Sequence, residues 1–179
     1  SEALLEQLAG TDFSHCLRDR LLDSVVQQLP ETCEIDLKKT LHFIAGGYGA
    51  GKTSAAFKMA MQINHLEPGR AIVVNYCSEQ ESSWTNAAIT GAKVGVDCFP
   101  AASAAELAAL VEEKTEHNLL LIDLSTYNVD EVTELKSAFP EANFHLTAPS
   151  DACTTSLQRL SKKTNWDSLI VTRLDSRSF

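Results

Sequence analysis

The sequence predicts an α/β fold: a mostly parallel sheet covered by helices on both faces, preceded by a short helical domain. Three observations predict it. A glycine-rich loop lies between a strand-like apolar run and a helix-like run within residues 41–61. From residue 40 onward, continuous apolar runs of strand length alternate with segments of helical spacing. Strands without polar alternation are buried on both faces, which is the pattern of parallel sheets. Before residue 40 the apolar residues follow helical spacing alone.

Taken in order, residues 2–30 read as two helices. Leu4, Leu5 and Leu8 share a face, and Gly10 stops the first helix. The second starts near Asp12 or Ser14. Leu17, Leu21, Leu22, Val25, Val26 and Leu29 form its apolar stripe, and Pro30 ends it. This sets a helical N domain at 1–40, a hairpin packed on the next domain, with a partner-binding helix as the alternative. The second domain spans 41–179. Its expected strands are 41–45, 71–76, 119–123, 143–146 and 168–172, and its expected helices 53–61, 102–114, 129–139 and 154–164. In such sheets ligands sit at the carboxyl ends of the strands.

The loop carries the chemistry. Gly46-Gly47-Tyr48-Gly49-Ala50-Gly51-Lys52-Thr53 fits G-x-x-x-x-G-K-[ST], between a strand and a helix as that motif requires. The fold class is therefore that of P-loop NTPases. Four fixed identities make a chance match in a chain of this length a roughly one-percent event. Glycines let backbone N–H groups turn inward around phosphate oxygens, and the helix N-terminus adds partial positive charge. Residues 46–54, Ser54 included, are the expected nucleotide-binding segment. Lys52 should reach the β and γ phosphates, and Thr53 should bind Mg²⁺.

Asp123 follows four aliphatic residues, the form of a strand that ends in a magnesium-holding acid, although acids commonly cap buried strands. Thr172-Arg173-Leu174-Asp175 also follows a strand. A carboxylate at Asp175 can accept from N1–H and the 2-amino group of guanine, and the Arg173 stem can lie along the base. A polar turn is the bland alternative. Histidines 15, 42, 65, 117 and 145 lack metal-ligand spacing and read as surface or packing groups, as do Trp84 and Trp166.

Composition excludes several classes. The 179 residues suit a single good core. The net charge of −9 argues against a direct nucleic-acid surface. No run of 18 apolar residues exists, and the acidic, amphipathic first residues are no secretory signal. The five cysteines are odd in number, scattered and without C-x-x-C, so reduced core thiols are expected and zinc is not.

These elements, in this order, resemble the GTPase domain of the signal-recognition-particle family, most closely its flagellar branch, FlhF. The residues that carry the resemblance are 46–53, Gly69-Arg70 before the next strand, the helix-to-strand break at Gly95, the Asp123 strand, and residues 172–175, which match T-K-x-D with arginine for lysine. The resemblance implies GTP or GDP with Mg²⁺ at the sheet edge, and pairing of two such domains around two nucleotides. The partner would be a second copy or a related GTPase. It also implies work in flagellar placement or assembly with a flagellar or membrane-associated protein, in the cytoplasm or peripherally at the inner membrane or cell pole.

The departures from the family bear on turnover. Its D-T-x-R falls on Cys77-Ser78-Glu79-Gln80, without the acid or the arginine. Its D-T-A-G-R falls on Asp123-Leu124-Ser125-Thr126-Tyr127, keeping only the acid. The chain ends at Phe179, before the family's last guanine-contacting loop and final helix, which implies a fragment or a short member. One positioned arginine can contribute ~10³–10⁵ in rate. Binding with weak hydrolysis is therefore the expectation. A degenerate, non-hydrolysing interaction module or an ATP-binding P-loop protein of another family is the alternative.

Overall fold

The structure is a computed structural model that describes residues 36–77, 81–125, 128–150, 152 and 164–173. Up to residue 35 the expected N domain lies outside the described residues, as do most of the expected helix 154–164 and Asp175.

The described residues form β1 (Leu41–Gly46), α1 (Lys52–Leu66), β2 (Ala71–Tyr76), α2 (Glu81–Val94), β3 (Cys98–Ala101), α3 (Ala104–Lys114), β4 (Leu119–Leu124), α4 (Val129–Ala138), β5 (Asn143–Pro149) and β6 (Ser168–Thr172). Among them the sheet has six strands in the order β3-β2-β4-β1-β5-β6, every pair parallel. The central strands β1, β2 and β4 are buried along their whole length, so their apolar runs are continuous, as read from sequence.

Alternate residues of these strands feed two cores. On one face Phe43, Val74, Leu120, Ile122 and Phe144 pack against Leu107 of α3 and Val132 and Leu135 of α4. The Phe43 and Phe144 rings stack with centroids 4.5 Å apart, a pairing set by the β1–β5 register. On the other face Ile44, Val73, Leu119 and Leu121 meet Ala56, Phe57 and Ala60 of α1 and Ala87 of α2. Both faces are therefore covered, as the sequence predicts. Trp84 and Trp166 pack against these cores, one on each face, in the structural role expected of them.

Two elements were given no bounds from sequence, α2 and β3; they flank Gly95, where the resemblance implies a helix-to-strand break. The strand is four residues long, contains Pro100 and lies at the sheet edge, where a missing backbone N–H costs no ladder bond. Three helix starts differ instructively. Ser103 caps α3, accepting from Glu106 N at 3.2 Å, while Glu106 reaches back to Ala102 N at 2.8 Å. Asn128 caps α4, accepting from Asp130 N at 3.0 Å. By contrast, α1 starts at Gly51 with no side-chain cap and no acid in its first turn.

Candidate functional site

The uncapped start of α1 stands at the carboxyl end of β1, so its first N–H groups are donors without a side-chain partner. That is a ready anion site. Gly49 and Gly51 take positive φ (69° and 83°), which turns the loop back onto the helix. The loop borders an open cleft of ≈ 1290 Å³. Gly47, Tyr48, Gly49, Gly51, Lys52, Thr53, Ser54 and Arg173, all assigned to binding from sequence, line it. Gly46 and Ala50, also assigned to binding from the motif, are buried.

Lys52 is only 7% exposed, and its ammonium donates to Gly47 O at 3.0 Å. Burial lowers its pKa from the ordinary lysine value, and the charge of Asp123 works against that shift. Asp123 is the next-to-last residue of β4 and is 0% exposed. Thr53 Oγ1 donates to its Oδ2 at 2.6 Å, so the motif hydroxyl and the strand acid meet across 70 positions of sequence. Burial raises the Asp123 pKa. The Thr53 hydrogen bond, the Lys52 charge and a hydrogen bond from Asn75 oppose it.

The second oxygen, Asp123 Oδ1, is buried and has no hydrogen-bond partner among the described residues. An orphaned carboxylate oxygen beside a hydroxyl is a hard oxygen donor set, which fits Mg²⁺. Thr53 and Asp123 are the residues that would hold it. No group of three or more histidine, cysteine or acidic side chains with metal-binding proximity exists among the described residues. Of the cysteines, Cys98 has its thiol pushed up to about 11, chiefly by burial and then by the Asp123 charge, which makes it unreactive.

β6 closes the site from the other side. Thr172 Oγ1 donates to Ala50 O at 2.7 Å, and Arg173 Nη2 donates to Gly49 O at 2.6 Å. Arg173 itself adopts positive φ (57°), and Ser150 Oγ holds its carbonyl at 2.9 Å. The guanidinium therefore braces the phosphate loop. The sequence alone points only to its stem, laid along the base. Asp175, Thr126, Tyr127 and residues 78–80 lie outside the described residues.

Asn75, at the carboxyl end of β2, was missed. Its Nδ2 donates to Asp123 Oδ2 at 3.3 Å, and its Oδ1 accepts from Ser83 Oγ at 2.9 Å. An asparagine inside an otherwise apolar strand was the available signal. His42 and His145 form a buried pair on β1 and β5, at 0% and 2% exposure, a packing role as expected. No helix among the described residues is long and apolar enough to cross a membrane.

No protein-family model and no curated protein sequence matches this chain. Solved structures do. FlhF complexed with GTP and Mg²⁺ is 18% identical with a TM-score of 0.71, over 95% of this chain and 70% of that one. The signal recognition particle receptor FtsY from Elizabethkingia anophelis is 16% identical with a TM-score of 0.66, over 97% of this chain and 64% of that one. The signal recognition particle 54 kDa protein from Aeropyrum pernix K1, in complex with GDP, is 16% identical with a TM-score of 0.64, over 79% of this chain and 37% of that one. The chain thus spans between 37% and 70% of the length of these three proteins. A six-stranded parallel sheet covered on both faces, together with these three likenesses, gives the chain the fold of the signal-recognition-particle-type GTPases.

Proposed function

We propose that the chain is a guanine-nucleotide-binding protein of the signal-recognition-particle GTPase type, acting with Mg²⁺ as a nucleotide-dependent switch with weak intrinsic hydrolysis. The observation that carries this reading is the 2.6 Å contact of Thr53 with Asp123 beneath the uncapped start of α1. Backbone N–H groups of residues 47–53 would surround the phosphates. Lys52 would exchange the Gly47 carbonyl for terminal phosphate oxygens. Mg²⁺, when bound, neutralises charge that develops on those oxygens. Guanine selection rests on Asp175, and the likeness to FlhF suggests a role in flagellar placement or assembly. Within this reading the partner is a second copy or a related GTPase, in the cytoplasm or peripherally at the inner membrane or cell pole.

Weak hydrolysis follows from the charges at the cleft. Cys77 stands where a water-orienting acid is expected. Arg173, the cleft-lining arginine among the described residues, is held by the loop carbonyl of Gly49. Only interactions that strengthen in the transition state raise the rate. Single-turnover hydrolysis by the isolated chain should stay near the ~10⁻⁴ s⁻¹ scale of an unassisted small GTPase. Turnover near one per second without a partner would show that other groups do this work.

Calorimetry with GTP, GDP and ATP in Mg²⁺ tests the binding itself. Lys52→Ala removes a charge-assisted bond and should weaken GTP roughly 10- to 100-fold. Equal affinity in wild type and variant would remove the phosphate-loop assignment. A preference for ATP would remove the guanine reading, and no binding to any nucleotide would leave a degenerate interaction module.

A further inference from the structure

We propose that Asn75 is the positioning residue for the Asp123 carboxylate, and that Ser83 ties it to α2. This rests on the nucleotide and Mg²⁺ reading above. β2 and β4 pair in a register that puts Asn75 directly opposite Asp123. Both are nearly or fully buried, at 2% and 0% exposure. The polarity of the chain of bonds is fixed by chemistry. An ionised carboxylate only accepts, so the Asn75 amide N–H must face it, at 3.3 Å. The amide oxygen then faces Ser83, whose hydroxyl donates at 2.9 Å. Thr53 donates to the same oxygen, Oδ2, at 2.6 Å. Two donors thus hold Oδ2, and Oδ1 is left buried without a partner among the described residues.

The consequence is orientation. With Oδ2 held by Thr53 and Asn75, the carboxylate cannot rotate freely, and Oδ1 is the oxygen left for a hard cation. A leucine at 75 would keep the volume and remove the donor. An aspartate there would set two carboxylates side by side, and burial with a like charge would neutralise one of them. Asparagine is the residue that donates to the acid while accepting from the helix. Groups of this kind, which hold a ligand without touching the metal, typically contribute 10- to 100-fold to metal affinity. Because Ser83 lies in the first turn of α2, a movement of that helix start would reach Asp123 through two hydrogen bonds.

The test compares wild type, Asn75→Leu, Ser83→Ala and Ser83→Thr. Binding of a fluorescent GDP is measured in EDTA and across a Mg²⁺ titration, and Mn²⁺ bound to the GDP complex is followed by electron paramagnetic resonance. The result expected is a Mg²⁺ half-saturation raised about tenfold in Asn75→Leu and less in Ser83→Ala, with Ser83→Thr like wild type because it keeps the hydroxyl. The Mn²⁺ affinity should fall in parallel. If Asn75→Leu loses its folded circular-dichroism signal, the Ser83 pair carries the comparison alone. A wild-type Mg²⁺ and Mn²⁺ dependence in Ser83→Ala and in a folded Asn75→Leu would overturn the inference. So would equal losses with and without Mg²⁺. A wild-type chain that binds no nucleotide would overturn the nucleotide reading first, and this inference with it.

Discussion

Gly46→Ala is expected to lower the stability of the domain by about 4 kcal/mol and its melting temperature by roughly 10 °C. The first glycine of the motif is the last residue of β1, opposite Thr147 of β5. Its φ of 156° turns the Cβ direction toward the neighbouring strand. A Cβ there would stand 2.4 Å from Thr147 O and 3.2 Å from Thr147 C. Those are backbone atoms of a strand held on both sides, by β1 and by β6, so neither can withdraw without breaking a ladder. Overpacking and backbone strain each cost ~1–3 kcal/mol, and here they act at one residue. Gly47 is the control, because a Cβ there meets nothing within 4 Å. Gly47→Ala should stay within about 0.5 kcal/mol of wild type. Thermal unfolding followed by circular dichroism, without nucleotide, compares the two. Equal melting temperatures would mean that β1 and β5 stand farther apart than the structure places them. If the effect is as expected, Gly46 serves the motif through strand spacing, and phosphate contact is left to the residues after it.

The fold was legible where burial on both faces left continuous apolar runs. Residues 41–45, 71–76 and 119–123 needed no tertiary information, because a central parallel strand has no polar side to show. Residues 81–94 were less legible for a physical reason. Helix α2 has few large apolar side chains and a glycine in its last turn, which ordinary propensity marks as unfavourable. That glycine is required by packing: a Cβ on Gly91 would stand 2.7 Å from Val96 O. For the site, a local motif announced residues 46–53, since its meaning lies in consecutive positions. Asp123 was readable as a strand-end acid. Its partner Asn75 was not, because that contact exists only once β2 and β4 pair in register. The brace from Arg173 to Gly49 is likewise invisible before β6 is placed beyond β5. The water-orienting and arginine positions at 77–80 could be judged from sequence only by their residue types. Those types are what the weak-hydrolysis reading still rests on.

Acidification should destabilise the domain through the buried histidine pair, by about 2 kcal/mol between pH 7 and pH 4.5 and about 3 kcal/mol in full. The hydrogen bonds fix the protons. His42 Nε2 lies 3.0 Å from Lys39 O, which can only accept, so that nitrogen carries the hydrogen. His42 Nδ1 is then the acceptor for His145 Nε2–H, at 3.0 Å, and His145 Nδ1 accepts from Ser168 Oγ–H at 2.7 Å. Every atom is satisfied with both rings neutral. A proton on His42 Nδ1 would set two donors face to face. Burial lowers the His42 pKa, against upward pulls from the Lys39 carbonyl and from Asp36 and Asp167. Burial, then the neighbouring His42, lowers His145 from 6.5 to about 4, with Asp167 opposing. The unfolded chain takes up protons near the ordinary value, while the folded chain refuses them until about pH 4. The stabilisation is therefore complete above about pH 6.5 and is lost as pH falls from there toward 4. Urea unfolding of wild type and His145→Gln at pH 7, 5.5 and 4.5 separates this from the carboxylates, which titrate in both proteins. The variant should be less stable at pH 7, because it loses the relay. It should also lose about 2 kcal/mol less than wild type on going to pH 4.5. Parallel pH dependence in the two proteins would mean that His145 is already protonated, or already solvated, in the folded state.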